Sequence, residues 1–429
     1  MEIEKLNEWN PWWEDKELIK DLMGKHRPKY DLLINSVDIR EITIIMGIRR
    51  AGKSTLMYQM IHNLLERKIN PNQILFINFE DKKLTEDSLE DIYLSYRENI
   101  NPDKKAYIFL DEIHKKKEWE SWIRKKYDLK TKDKFVISGS CSYLLKKEYS
   151  TLLTGRNLSF DVFPLSFEEF LLFKEIRLNK NNLKKGIILE KTKLFILRNL
   201  KEYFCLGGFP EIVFKQKQYK MKILKQYFDD ILFRDIIDRY NSNSQKTSDL
   251  ALFLITNFTS LISLRNIRNS LKISYDTTKD YLSYYEDVFL FFKINYFSYS
   301  LKEQKLVAPK IYCIDNGLRN SVSFKFSKDM GKLAENLVFI ELKRRNKEIY
   351  YWQNSKKQEV DFVVKKGDQS LTAINVSYTN EIKEREIKGL LEFKEKFKKC
   401  NKLILLTKDL EKKEKGIYFI PLWKWLLIN

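Results

Sequence analysis

The stretch "TIIMGIRRAGKSTLMYQMI", residues 43–61, sets an apolar, β-branched run before a loop with two glycines, a lysine and a serine, and follows it with an amphipathic run. "EITIIMG" reads as a short buried strand, and "STLMYQMIHNLLERK" carries its apolar residues at helical spacing. Gly47 to Ser54 therefore falls where strand turns into helix, and it fits the pattern G-x-x-x-x-G-K-[ST]. With only 13 glycines in 429 residues, two at this spacing and in this context are rarely an accident. Glycines let backbone N–H groups wrap a phosphate chain, and the N-terminus of the next helix adds partial positive charge. Gly47, Ile48, Arg49, Arg50, Ala51, Gly52, Lys53, Ser54 and Thr55 are thus the expected nucleotide-binding residues. Lys53 is expected to reach the β and γ phosphates, and Ser54 to offer its hydroxyl to Mg²⁺. Arg49 and Arg50 either touch phosphate or face solvent.

A βαβ unit needs a second strand after a short connection, and "QILFINFED" supplies it. "KAYIFLDEIHKKKEW" then runs through four apolar residues, Tyr107 to Leu110, into Asp111 and Glu112. That pattern predicts Asp111 in the Mg²⁺ shell and Glu112 as the general base that polarises water; the bland alternative is a solvated acidic turn. In "KFVISGSCSYLL", Ser138 or Ser140 either faces the γ-phosphate from a neighbouring strand end or belongs to a turn that caps the next helix. Arg156 follows Gly155 in "LLTGRNLSFDVFPLSFEEFL". It stabilises charge on the γ-phosphate, in cis or across the interface of a homo-oligomer, or it is an ordinary salt-bridge arginine.

Length and composition bound the rest. A chain of 429 residues, 43% hydrophobic and 32% charged, can bury several cores. Its net charge of +20 favours a polyanionic partner such as DNA, against the blander reading of a lysine-rich solvated surface. Cys141, Cys205, Cys313 and Cys400 lie far apart with no C-x-x-C pair, which points away from zinc and from a disulfide framework. The start is charged and aromatic rather than signal-like, and no apolar run reaches 18 residues. The expectation is a soluble cytoplasmic protein without membrane contact.

Taken in order, "GIRRAGKST", "YIFLDEIH", "ISGSCSYLL", "TGRNLSFDVFPLSFEEFL", "CLGGFPEIV" and "KIYCIDNGL" resemble an AAA-type P-loop ATPase family widespread in archaea and bacteria. The resemblance covers nearly the whole chain. It implies ATP rather than GTP, with Lys53, Ser54 and Asp111 in the roles above, and a GTP-selective N-K-x-D signature is not apparent. It also implies a helical segment after the ATPase, then a winged helix, then a domain similar to restriction-endonuclease-like folds.

The expected organisation is an α/β protein: a parallel-sheet P-loop core with an N-terminal extension at 1–165, a helical lid at 166–245, a winged helix at 246–325 and an endonuclease-like domain at 326–429. "CLGGFPE" reads as a Gly-Gly break between helices and "YFDDILFRDIIDRY" as an amphipathic helix. Residues 248–296 have the rhythm of a helix-turn-helix with a wing. Tyr275, Thr277, Thr278 and Lys279 would open the recognition helix, with Arg265 and Arg268 available for phosphates; a purely structural module is the alternative.

In active endonuclease-like members, an Asp on one strand and a Glu two residues before a Lys on the next bind a metal and orient water. Here Glu335 and Asp361 are present, but Asn375 and Ser377 give N-V-S in place of E-V-K. An amide is a weak metal ligand and serine carries no ammonium, so a degenerate domain is expected. "EIKEREIKGLLEFKEKFKK" reads as a solvated helix face, and "YFIPLWKWLLIN" as a strand and a docking apolar tail. The function these readings support is an Mg²⁺-dependent ATPase acting on a macromolecular partner. An ATP-gated nuclease and a nucleotide-regulated scaffold are the competing classes.

Overall fold

The computed structural model describes residues 3–84, 86–142, 153–323 and 330–428. The helix expected after the serine turn at 138–142 and the boundary expected at 325/326 lie outside the described residues. The chain forms two compact units, Met1–Val162 and Phe163–Asn429. No helix among the described residues is long and apolar enough to cross a membrane.

The first unit is built on β1 (Ile42–Met46), α1 (Lys53–Glu66), β2 (Ile74–Asn78), α2 (Leu89–Asn99), β3 (Tyr107–Asp111), α3 (Trp119–Asp128), β4 (Lys134–Gly139) and β5 (Asn157–Asp161). The five strands form one parallel sheet in the order β2-β3-β4-β1-β5. Every residue of β1 is buried, because the strand lies between β4 and β5 with helices over the sheet, which is why it reads as a continuous apolar run. The edge strand β2 is closed off by the N-terminal segment. Asn10 donates to Phe76 O (2.9 Å) and accepts from Phe76 N (2.7 Å), and the indoles of Trp12 and Trp13 both donate to Ile74 O (3.2 and 2.9 Å). Side chains here satisfy backbone groups that an open edge would offer to another strand.

The second unit opens with α4 (Phe167–Phe173), started by a reciprocal cap between Ser166 and Glu169. It continues through α5 (Glu190–Leu206) and α6 (Lys217–Asp230), whose amphipathic run passes into a π-helical segment at Ile231–Ile237. Then come α7 (Ser244–Thr256), α8 (Leu264–Leu271), α9 (Tyr275–Asp287) and the antiparallel pair β6 (Phe291–Ile294) and β7 (Lys310–Cys313). Lys272, at left-handed φ, ends α8, and Ser274 caps α9, so the two helices are joined by a tight turn. After α10 (Asn316–Val322) and α11 (Met330–Arg344), a mixed sheet is formed by β8 (Glu348–Gln353), β9 (Glu359–Lys365), β10 (Leu371–Ser377), β11 (Cys400–Thr407), β12 (Lys412–Glu414) and β13 (Ile417–Pro421). Its order is β12-β13-β11-β10-β9-β8, with α12 (Glu384–Lys396) between β10 and β11 in sequence and α13 (Leu422–Ile428) at the end.

The segments expected at 166–245, 246–325 and 326–429 share their packing within this unit. Phe297, just past β6, sits in the core of the mixed sheet with Trp352, Phe393 and Phe397. The "CLGGFPE" and "KIYCIDNGL" stretches meet at Asp315, a buried carboxylate that accepts from Gly208 N (2.7 Å), Gly317 N (2.7 Å) and Leu318 N (3.2 Å). Gly207 has φ +68°, and a Cβ there would lie 1.9 Å from Asp315 Oδ1; a Cβ on Gly208 would lie 2.3 Å from Leu165 O. The Gly-Gly break is therefore a close approach between chain segments as well as a helix end. Burial raises the Asp315 carboxyl to about 6, against the pull of its three N–H donors. Asp315→Ala removes the acceptor of three buried N–H groups and is expected to lower the stability of the second unit by roughly 3 kcal/mol, read as a drop in its denaturant midpoint.

Candidate nucleotide site

In a parallel sheet the loops at the strand C-terminal ends share one edge, and the expected residues gather there. The turn after β1 runs from Gly47 to Gly52. Gly47 has φ +152°, and a Cβ on it would lie 2.0 Å from Val162 O, so only glycine lets the loop leave β1 beside the chain that follows β5. Gly52 is left-handed at φ 97° and opens α1, which has no side-chain cap, the form that helix N-terminal anion sites take. Lys53 is buried and folds back into this turn, donating to Gly47 O (3.1 Å) and Ile48 O (3.3 Å).

The two acids follow from β3. Asp111 ends the strand fully buried and accepts from Ser54 Oγ (2.6 Å) and from the Ser138 hydroxyl. Burial, helped by the neighbouring Glu112 charge, pushes the Asp111 carboxyl up to about 6. Glu112 takes a left-handed backbone (φ 51°), unusual for a residue with a Cβ, and this turns its carboxylate back over the site. Glu112 Oε1 lies 3.4 Å from Lys53 Nζ, while Oε2 accepts from Ser140 N (3.1 Å) and lies 3.3 Å from His114 Nδ1. The backbone N–H of Glu112 donates to Ser138 Oγ (3.2 Å). Ser54, Lys53, Asp111 and Glu112 are thus brought into one contact network.

Ser138 and Ser140 are fully buried. Of these two serines, Ser138 places its hydroxyl on Asp111 and on the backbone N–H of Glu112, and Ser140 holds the Glu112 carboxylate through its backbone N–H. Arg49 is directed to Glu80 (2.7 Å) in the loop after β2, whereas Arg50 is exposed at φ 67°. Ile48 and Ala51 are buried, and Thr55 is partly buried with its methyl facing Gly24, where an added Cβ would lie 3.1 Å away.

The cis role for Arg156 is corrected. Its carbonyl accepts from Ile42 N (2.8 Å), at the N-terminal end of β1, whereas the phosphate loop leaves the other end. Four residue steps of strand put about 13 Å between those ends. Its guanidinium is held by Asp128, 2.9 Å away at the end of α3.

Several neighbours of the loop carry no spacing signal in the sequence. Arg27 is buried, donates to Ala51 O (2.9 Å) and stacks over Tyr30, 4.6 Å from the ring centre. Gln59 on α1 donates to Met23 O and Lys25 O (2.8 and 3.0 Å), which ties residues 23–30 to the loop helix.

In the second unit, Arg265, Arg268, Tyr275 and Lys279 are exposed, and Lys279 lies over the Tyr275 ring at 4.1 Å. Thr277 is partly buried and Thr278 fully so, its hydroxyl donating to Ser274 O (2.8 Å), which corrects the expectation that Thr278 is available to a ligand. Glu335 and Asp361 do converge, joined by two residues the sequence reading passed over. Lys310 Nζ lies 3.0 Å from Glu335 and 3.7 Å from Asp361, and it also contacts Glu359. Glu359 was legible, since residues two apart on a strand share a face; Lys310 was not.

Residues 39–171 match the family described as AAA domain, and residues 197–329 and 330–425 match two domains of unknown function, DUF8612 and DUF4143. The chain is similar to the uncharacterized protein MJ1544 of Methanocaldococcus jannaschii, 34% identical over 407 residues that cover 90% of this chain and 88% of the relative. It is also similar to an uncharacterized protein of Haemophilus influenzae, 30% identical over 404 residues that cover 92% and 96%. Weaker likenesses in fold extend to Aeropyrum pernix ORC1 in complex with DNA (TM-score 0.33, 9% identity, covering 69% of this chain and 91% of that one) and to AMPPCP-bound DnaA of Aquifex aeolicus (TM-score 0.27, 13% identity, covering 61% and 87%). With two relatives matched along almost their whole length and an AAA domain at its first sheet, the chain belongs to their family, a P-loop AAA-type family.

Proposed function

We propose that this protein is an Mg²⁺-dependent ATPase that couples ATP binding and hydrolysis to a conformational change on a macromolecular partner, with DNA as that partner. The observation that carries the reading is the 2.6 Å hydrogen bond between Ser54 and Asp111, with Lys53 and Glu112 beside it. A hydroxyl and a carboxylate at the mouth of a helix N-terminus are the oxygen donors that a hard cation prefers. Ser54 and Asp111 would hold Mg²⁺, which when bound neutralises charge on the β and γ phosphates.

The protein's own residues supply the rest. Backbone N–H groups of Gly47 to Thr55 cradle the phosphates, and Lys53 exchanges the carbonyls of Gly47 and Ile48 for phosphate oxygens. That move ends the Lys53–Glu112 contact and leaves Glu112, still held by Ser140 N, to take a proton from water as general base. Ser138 keeps the two acids in register. Arg156, on the opposite sheet edge with a partly exposed side chain, serves the nucleotide of a neighbouring copy in a homo-oligomer.

The α8–α9 turn, the exposed Arg265, Arg268 and Lys279 and the net charge of +20 support DNA binding by a winged helix. The run from α11 through antiparallel β8, β9 and β10, then by α12 to β11 parallel to β10, supports an endonuclease-like origin for the last segment.

Lys53→Ala should abolish ATP hydrolysis and weaken ATP binding. Glu112→Gln should keep ATP binding while slowing hydrolysis by roughly 10²–10⁴-fold. Equal loss of binding in both variants would remove Glu112 from catalysis. For Arg156, mixing inactive Arg156→Ala with inactive Lys53→Ala protein should restore part of the turnover, since each mixed interface can hold one intact site; no recovery at any ratio would make Arg156 an ordinary ion-pair residue. In filter binding to duplex DNA, the double change Arg265→Ala and Arg268→Ala should reduce the log–log salt slope by about 2. Salt-independent or absent binding by the unmodified protein would remove DNA as the partner.

A further inference from the structure

An endonuclease-like fold implies a divalent metal at Glu335 and Asp361, and the residues present do not fit one. Lys310, the first residue of β7 and paired with Ile294 beside the segment that connects the two strands, reaches the carboxylates with its ammonium buried among them: 3.0 Å from Glu335 Oε1, 3.7 Å from Asp361 Oδ1 and in contact with Glu359 Oε1. Tyr312, two residues on and on the same strand face, donates to the same Glu335 oxygen at 2.8 Å. The second oxygen of Asp361 is taken by Val376 N (2.8 Å).

The position where a metal-binding acid would stand is equally committed. Asn375 accepts from Asp361 N (3.0 Å) and donates to Glu359 O and Glu386 O (3.1 Å each), so all its polar atoms serve the backbone around the cluster. Among the described residues no group of three or more His, Cys, Asp or Glu side chains is arranged to hold a metal ion. Burial alone would depress the Lys310 ammonium, yet Glu335, Asp361 and Glu359 together hold it well above its usual range. Burial, and then Glu335, push the Asp361 carboxyl well above its usual range, against the pull of the Lys310 ammonium. A divalent ion needs several of these same oxygens at 2.0–2.6 Å, and it would have to share them with a fixed positive charge.

We propose that Lys310 is the resident cation of this carboxylate cluster: its ammonium stands where the fold's metal would, so the pocket takes up no divalent ion and the domain cleaves no phosphodiester. The cavity of about 540 Å³ above the cluster, rimmed by Lys332, Lys357 and Arg385, is then a cleft without its metal. The proposal does not depend on the ATPase reading, because none of these residues belongs to the first unit.

The test is Mn²⁺ titration of the full chain without nucleotide, with bound ion counted by electron paramagnetic resonance and melting temperature followed in parallel. Unmodified protein and Asp361→Asn should bind Mn²⁺ equally and show no Mn²⁺-dependent rise in melting temperature that Asp361→Asn removes. Lys310→Met should gain one Mn²⁺ per chain, at least tenfold tighter than any site of the unmodified protein, and be stabilised by it. Lys310→Met with Asp361→Asn should lose both effects. A Mn²⁺ ion held by the unmodified protein and lost in Asp361→Asn would overturn the proposal, as would folded Lys310→Met protein that gains no site. Should Lys310→Met fail to fold, the comparison of unmodified protein with Asp361→Asn still decides whether the native pocket holds a metal.

Discussion

The parallel register of β1 between β4 and β5 is the constraint on which the first unit depends. Because all five strands run the same way, everything that leaves a strand C-terminus arrives at one edge. Gly47 to Ser54 leave β1, Asp111 and Glu112 leave β3, and Ser138 to Ser140 leave β4, so residues up to 93 positions apart meet without any long-range motif. The same register sends Arg156, which precedes β5, to the far edge. Had β5 run antiparallel to β1, Arg156 would have stood beside the loop. One geometric rule thus both assembles the candidate site and removes an arginine from it.

Several buried charges in this protein are compensated by named groups. Asp111 has the hydroxyls of Ser54 and Ser138; Asp315 has three backbone N–H groups; Lys310 has three carboxylates. Arg344 is held by Glu341 and by Pro164 O at 3.1 Å. Each cluster joins segments far apart in the chain, so the cost of desolvation is offset only when the right tertiary pairing forms.

The P-loop and the acid pair were legible because their chemistry is local. The strand-to-helix turn with its two glycines is contained in Gly47 to Ser54, and the apolar run ending in acids in Tyr107 to Glu112, so each motif lies within a few residues. The start of the helix at Tyr275 was readable for the same reason. Glu335 and Asp361 were found through element order, and Asn375 as a departure from it, although what Asn375 does instead appeared only with its three hydrogen bonds. Arg27, His114 and Lys310 were not legible, since no periodicity links residue 27 to residue 51 or residue 310 to residue 361.

By itself, the sequence determined that this chain carries an α/β phosphate-loop core, and it placed Lys53, Ser54, Asp111 and Glu112 at the turns that leave its strands and Asn375, Val376 and Ser377 together in the last segment. Tertiary structure alone decided that Ser138 serves the acids, that Arg156 lies at the opposite edge, and that a lysine from a neighbouring hairpin fills the carboxylate cluster. The division has one physical cause. Torsion preferences and hydrophobic periodicity act over a few residues and are written along the chain, whereas a buried charge finds its partner through space, wherever strand direction and packing bring the two together.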